Sequence, residues 1–353
     1  MRVVVSSANF FEAVSAASRV TPARPAMMAY SAVAISAKGE SISVTGSDGE
    51  LSVRCVVDGT VHEGGVTLVQ PRPLAAWLGT LGDVALELVD NGDGDLVVSP
   101  TKGTPYRFRT VSATFPQTPK LTGTPRPVDL EDLHLAISAV RPAVDRDQRV
   151  VQLVSADGEL RINATDTYRL SQATLRAGGF GDFTGLVPLS ILEQVSADTD
   201  SVVVDAAGRV IELRGPKFTY SARLAAVAFP AVDSVLANLP EKRVTMEIAP
   251  LKKALARLAA VVDQEPLRVR VGKTTMELAV AGSPIGSGAE QVAVSGGPDV
   301  EFEFGVNLGY LNEALSGRSG SEVTLAYSTP VQPLFFVSSG EVPVTCAVMP
   351  VRL

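Results

Sequence analysis

The chain repeats itself about every third of its length, and that period limits the fold more than any single motif. Phe10, Ala13, Val14 and Ala17 are apolar at helical spacing, and the pattern returns in Leu133, Ala136, Ile137 and Val140. It appears again in Leu251, Ala254, Leu255, Leu258 and Ala259; the Ala-apolar pairs at 13/14, 136/137 and 254/255 lie 123 and 118 residues apart. A second helical segment recurs as PRPLAAWLGTL, VPLSILEQV and VNLGYLNEAL, whose Leu74, Leu189 and Leu308 are 115 and 119 residues apart. Phe115-Pro116, Phe229-Pro230 and Met349-Pro350 place prolines 114 and 120 residues apart. A period of about 118 in 353 residues is too long for a solenoid unit, so each repeat is a whole domain.

Between the helical segments the pattern switches to alternation, as in ESISVTG and GELRINATD. SVVVDAAGRVIELRG reads as two strands joined at Ala206-Ala207-Gly208. The expectation is an α+β chain of three repeated two-helix, antiparallel-sheet domains over 1–121, 122–241 and 242–353, with seams in LTGTPRPVD (121–129) and NLPEKRV (238–244). Similar domains joined head to tail make heterologous contacts, which close into rings when the rotation fits.

Composition removes several classes. With 31 Lys plus Arg against 38 Asp plus Glu, the net charge is −7, so the surface as a whole does not grip nucleic acid, although a local basic lining remains open. Cys55 and Cys346 are the only cysteines, which excludes a disulfide framework and a Cys-rich zinc site and points to a reducing, cytoplasmic compartment. His62 and His134 are the only histidines. The N-terminal apolar run is broken by Ser6, Ser7, Asn9 and Glu12 and does not read as a signal peptide. No apolar run approaches the ~18 residues a membrane span needs.

The repeated segments carry a family resemblance. NATDTYRLS (163–171) is similar to the A-T-D-G-H-R-L signature of the bacterial DNA sliding clamp, the β subunit of the replicative polymerase. FPAVDSVL (229–236) resembles that family's F-P-D-Y-x-x-V-L segment, VMPVRL (348–353) its M-P-M-R-L ending, and Arg24-Pro25 falls at an Arg-Pro that faces DNA. The resemblance implies the DNA clamp fold in a head-to-tail homodimer, a six-domain ring with helices lining a channel around duplex DNA. It implies a processivity factor that tethers polymerases and is opened by a separate clamp loader, with no reaction of its own and no cofactor or metal.

It also implies residues. The DNA-facing set is Arg19, Arg24, Arg141, Arg146, Lys252, Lys253 and Arg257. Partner proteins bearing a Q-L-x-L-F-type peptide would bind a groove of Thr165, Thr167, Tyr168, Arg169, Leu170, Pro230, Val235, Met349, Pro350, Val351, Arg352 and Leu353. Leu170, Val235, Met349 and Val351 would be its apolar walls, with Met349 adaptable to varied partners. The dimer contact would join Tyr106 and Phe108 to a helix end bearing Val261 and Val262.

Three residues depart from the family pattern: Thr167 replaces a Gly where the turn calls for positive φ, Tyr168 replaces a His, and Ser234 replaces a rim Arg. The second helical segments carry Glu193, Asp198 and Glu313 and no basic residue, so the lining is thin. That motivates an alternative, a clamp-like partner-binding scaffold or variant clamp with weakened DNA encirclement. An enzyme built on Asp166, Tyr168, Arg169 and His134 lacks a nucleophile–base pair, and GSPIGSG (282–288) lacks the G-K-[ST] of a phosphate loop.

Overall fold

The computed structural model describes residues 1–116, 121, 123–176, 181–205, 209–237 and 239–353. The expected strand junction at Ala206-Ala207-Gly208, Thr122 at one expected domain boundary and Asn238 in the second seam lie outside the described residues.

Seven α-helices occur among the described residues: α1 (Ser7–Val20), α2 (Pro71–Leu78), α3 (Leu130–Val140), α4 (Leu189–Leu192), α5 (Val232–Leu236), α6 (Ile248–Leu258) and α7 (Leu308–Glu313). The repeat pattern anticipates all of them except α5. The starts of three helices are fixed by side-chain caps: Ser6 accepts from the Asn9 N–H, Asp129 from the Glu131 and Asp132 N–H groups, and Asn307 from the Tyr310 N–H. In α6, Ile248, Leu251, Ala254, Leu255 and Leu258 are buried in the i, i+3, i+4, i+7 stripe of an amphipathic helix. It ends at Leu258, short of Val261 and Val262. The Ala260 N–H donates to Arg257 O and the Val261 N–H to Leu258 O, which tightens the last turn before two consecutive β-branched residues. The expected position of that valine pair on the helix is thereby corrected: Val261 sits in the turn after it and Val262 follows that turn.

Two compact units result. One comprises Met1–Pro127 with Glu193–Leu224, the other Val128–Leu192 with Ala225–Leu353. The first holds a five-stranded sheet and an eight-stranded sheet, with α1 packed on α2 and on strand Leu51–Val57. Phe10, Val14 and Ala17 of α1 and Leu74 and Leu78 of α2 are buried there. The eight-stranded sheet crosses the repeat boundary, since Leu51–Val57 pairs antiparallel with Phe218–Arg223. Cys55 is buried in it, and desolvation pushes its thiol up to about 12.

The second unit is built on one twelve-stranded sheet. Its second-third and third-third halves join where Arg169–Arg176 pairs with Val344–Val348, Leu170 opposite Ala347. Arg318 ties that junction from inside, donating to the carbonyls of Ala314, Phe336 and Val344 and to Ser338 Oγ at 2.6–3.2 Å. At Gly317 (φ +62°) a Cβ would collide with the α3 backbone at Leu135 and Ala139, so glycine answers both a left-handed turn and a close helix approach. No described helix is long and apolar enough to cross a membrane.

Candidate partner-binding groove

The segment 165–170 is a tight hairpin end between strands Glu159–Thr165 and Arg169–Arg176. Asp166 organises it. Its Oδ1 accepts from the N–H groups of Tyr168 (3.1 Å) and Arg169 (2.9 Å), and its Oδ2 accepts from Arg169 Nε at 2.9 Å. Thr165 Oγ1 donates to the Arg169 carbonyl at 2.8 Å and accepts from the Thr167 N–H at 3.2 Å. Both Asp166 oxygens are thus committed to the turn and its arginine.

Thr167 has φ +74°, the left-handed conformation the family's glycine would take without strain. A β-branched residue there costs about 1–3 kcal/mol. Thr167→Gly is therefore expected to raise the midpoint of thermal unfolding, by about 1 kcal/mol of stability once the entropy of the unfolded glycine is subtracted. Calorimetry of the two chains reads this directly; an unchanged or lower midpoint contradicts the strain.

Arg169 is held on three sides. Besides Asp166, it forms an ion pair with Glu313, and its guanidinium carbon lies 4.3 Å from the Tyr310 ring centroid. Glu313 thereby becomes a partner of the hairpin rather than only an acidic residue on a second helix. Leu170 turns the other way, into a cluster with Val232, Ala326, Phe335 and Ala347, against which Phe229 and Leu236 pack. Val232 and Leu236 belong to α5, and Val235, three residues on from Val232, stays exposed. Asp233 on α5 pairs with Arg161 at 3.3 Å, and Ser234 closes its hydroxyl on the Ala231 carbonyl at 2.7 Å, so it offers no rim charge.

The C-terminal segment runs beside this hairpin. The Met349 N–H donates to the Tyr168 carbonyl and the Val351 N–H to the Gly305 carbonyl, each at 2.9 Å. The tail is therefore docked rather than free. Large apolar side chains nonetheless face solvent: Tyr168 is 63% exposed, Val235 40%, Met349 39%, Val351 39% and Leu353 52%. Thr165 and Pro350 are half-buried, and Pro230 and Arg352 are exposed.

The hairpin, α5 and the tail all belong to one compact unit. The sequence did not assign Phe229, Val232, Tyr310, Glu313 or Gly305 to the groove. Phe229 and Val232 lie inside the quoted FPAVDSVL segment, whereas the other three are brought near only by folding.

The expected DNA-facing residues divide. Arg19, Arg24, Arg141 and Arg146 are exposed, as are Lys252 and Lys253 on the polar face of α6. Arg257 is committed to a bidentate pair with Glu290, both bonds 2.6 Å, which holds the Glu290 carboxyl below its usual range. Tyr106 and Phe108 lie on Tyr106–Arg109, an edge strand of the five-stranded sheet, against Trp77 at centroid distances of 4.9 and 5.6 Å.

Two family models match the chain: the DNA polymerase III beta subunit N-terminal domain over residues 1–114 and the C-terminal domain over residues 233–352. The beta sliding clamp of Synechocystis sp. is 23% identical, with all of both chains covered. The beta sliding clamp homolog GriR of Streptomyces muensis is 25% identical over 75% of this chain and 74% of its own. A crystal structure described as a DNA polymerase III beta subunit from Eubacterium rectale superposes with a TM-score of 0.90 at 20% identity, covering 99% of each chain.

Proposed function

Because the chain belongs to the DNA polymerase III beta-subunit family, we propose that it works as a sliding clamp, a DNA polymerase processivity factor that acts by holding rather than by catalysis. The observation that carries the partner-binding side of this reading is the docked tail. Met349 is bonded to the Tyr168 carbonyl beside a hairpin whose Leu170 joins an apolar cluster with α5. That arrangement offers apolar pockets with few polar groups, the kind of surface that takes two anchor side chains of a short peptide. The replicative polymerase, the clamp loader and other proteins with a Q-L-x-L-F-type peptide are its proposed occupants. The three-domain division at 121/122 and 241/242 and the closure of two chains into a ring are parts of the same proposal.

A ring holds DNA by encirclement, so weak side-chain contacts suffice for retention. The pairing of Arg257 with Glu290 leaves Lys252 and Lys253 as the α6 cations outside an ion pair among the described residues. Lys252→Glu with Lys253→Glu is expected to weaken binding to linear duplex further and to flatten its salt dependence, by about one unit of log–log slope for each phosphate no longer neutralised. Filter binding across a salt series measures it; tight, salt-insensitive binding to linear duplex by the unaltered chain contradicts encirclement.

The deciding experiment loads the protein with a cognate loader onto nicked circular duplex and isolates the complex by gel filtration. Retention on the circle and loss after linearisation support the clamp. Loss from both, with peptide binding intact, would indicate a partner-binding scaffold instead.

A further inference from the structure

The proposed groove depends on where the last five residues lie, and the chain gives them two anchors. The Tyr168 carbonyl accepts from Met349, and two residues later the Gly305 carbonyl accepts from Val351, forming an antiparallel bridge. Pro350 stands between the anchors with its φ fixed and no N–H to leave unpaired. Beside the second anchor, Gly305, Val331 and Leu353 help line a surface pocket of ≈ 540 Å³.

Gly305 sits in strand Phe302–Val306 at the edge of the twelve-stranded sheet, opposite Arg268 of Leu267–Val271. Its backbone is not in the left-handed region, so the strand itself does not call for glycine. The space does. A Cβ at 305 would meet the Val351 carbonyl oxygen at 2.5 Å and Leu353 Cγ and Cδ2 at 3.0 Å. Glycine inside a strand marks a close backbone approach, and here the approaching backbone is the chain's own C-terminus.

We propose that Gly305 is a positioning residue for partner binding: its bare backbone seats the C-terminal strap and so sets Met349 and Val351 for the incoming peptide. The proposal rests on the groove reading above. With a side chain at 305 the strap lifts, the Tyr168 anchor alone remains, and the peptide must order a loose tail as it binds.

The test uses four preparations: the unaltered chain, Gly305→Ala, a deletion of Val351–Leu353, and both changes together. The readouts are titration of a fluorescein-labelled Q-L-S-L-F peptide and thermal melting for all four, and hydrogen exchange at the Val351 amide for the two that keep Val351. Gly305→Ala is expected to expose the Val351 amide to exchange and to raise the peptide Kd at least about tenfold. The combined variant is expected to melt where the deletion alone melts, because both changes act through one strap. It also removes the atoms a Cβ would strike, so it remains folded even where Gly305→Ala alone melts early. Wild-type peptide affinity in Gly305→Ala, with the deletion weakening binding, overturns the positioning role and leaves the groove standing. Earlier melting of the combined variant than of the deletion alone overturns it too, since a side chain at 305 would then disturb something other than the strap. Unchanged affinity after the deletion overturns the groove reading itself, and the positioning role with it.

Discussion

Deleting Val351, Arg352 and Leu353, or replacing Met349 by Ala, is expected to abolish binding of a labelled Q-L-x-L-F peptide while the melting temperature stays nearly unchanged. The asymmetry follows from exposure. Met349, Val351 and Leu353 are more than a third exposed, so their removal creates no core cavity, whereas the strand that precedes them, Val344–Val348, is buried and stays. A peptide that buries one Leu and one Phe gains about 1.5–3 kcal/mol per side chain. The two anchors together supply about 3–6 kcal/mol, short of the ~8 kcal/mol of a micromolar complex, and ordering the peptide takes part of it, so binding is weak and every wall counts. Losing one wall then moves the Kd beyond the range of an ordinary titration. Ser234→Arg should act in the opposite direction, adding affinity for an acidic-flanked peptide together with salt dependence, because the present Ser234 hydroxyl is turned onto its own helix. Unaltered binding after the deletion would place the groove elsewhere.

The helices were legible because each buries a continuous stripe, and a 3.6-residue period survives in sequence whatever the helix packs against. The exception, α5, has five residues, too few to show a period, and follows a proline; α4, with four, was legible only through its place in the repeat. The end of α6 differs from expectation because Ala259 and Ala260 extend the apolar pattern past the point where the hydrogen bonding tightens. Strands were legible as strands, but alternation reports which face is buried and not which strand lies alongside. The pairings of Leu51–Val57 with Phe218–Arg223 and of Arg169–Arg176 with Val344–Val348 therefore had no local signature. The same holds in the groove. Thr167 could be flagged from one position, and its φ of +74° agrees with the expectation. The packing of Arg169 against Tyr310 and Glu313, and of Gly305 against the tail, joins residues that only the sheet brings together. Charge was legible as a total and not as a distribution, since the Arg257–Glu290 pair removes a cation that helical spacing alone leaves free.

Tyr106→Ala combined with Val262→Asp is expected to convert a homodimer into monomers of unchanged fold. Tyr106–Arg109 is the last strand of its sheet, bonded on one side to Asp95–Pro100, and Tyr106 is 50% exposed while resting on Trp77. In the other unit, strand Gly288–Ser295 pairs with Lys242–Glu247 only through Val294 and Ser295. Its first six residues keep one edge open among the described residues, and Val261 lies against them, 3.4–3.5 Å being the distance from a Cβ at Gly288 to Leu258 and Val261. Open edges flanked by apolar side chains invite unwanted pairing unless a partner covers them. Two such edges on one chain, one in each unit, suit a head-to-tail contact that closes after two copies. Removing the Tyr106 ring takes away packing area at that contact, and an Asp at 262 would be desolvated there without a cation, an unfavourable burial that the free monomer avoids. Both positions are partly exposed in the single chain, so the monomer keeps its sheets. Sedimentation at micromolar concentration separates the outcomes: a dimer for the unaltered chain and a monomer with the same melting profile for the variant. A monomeric unaltered chain at that concentration overturns ring closure by two copies, and a dimeric variant moves the contact away from these residues.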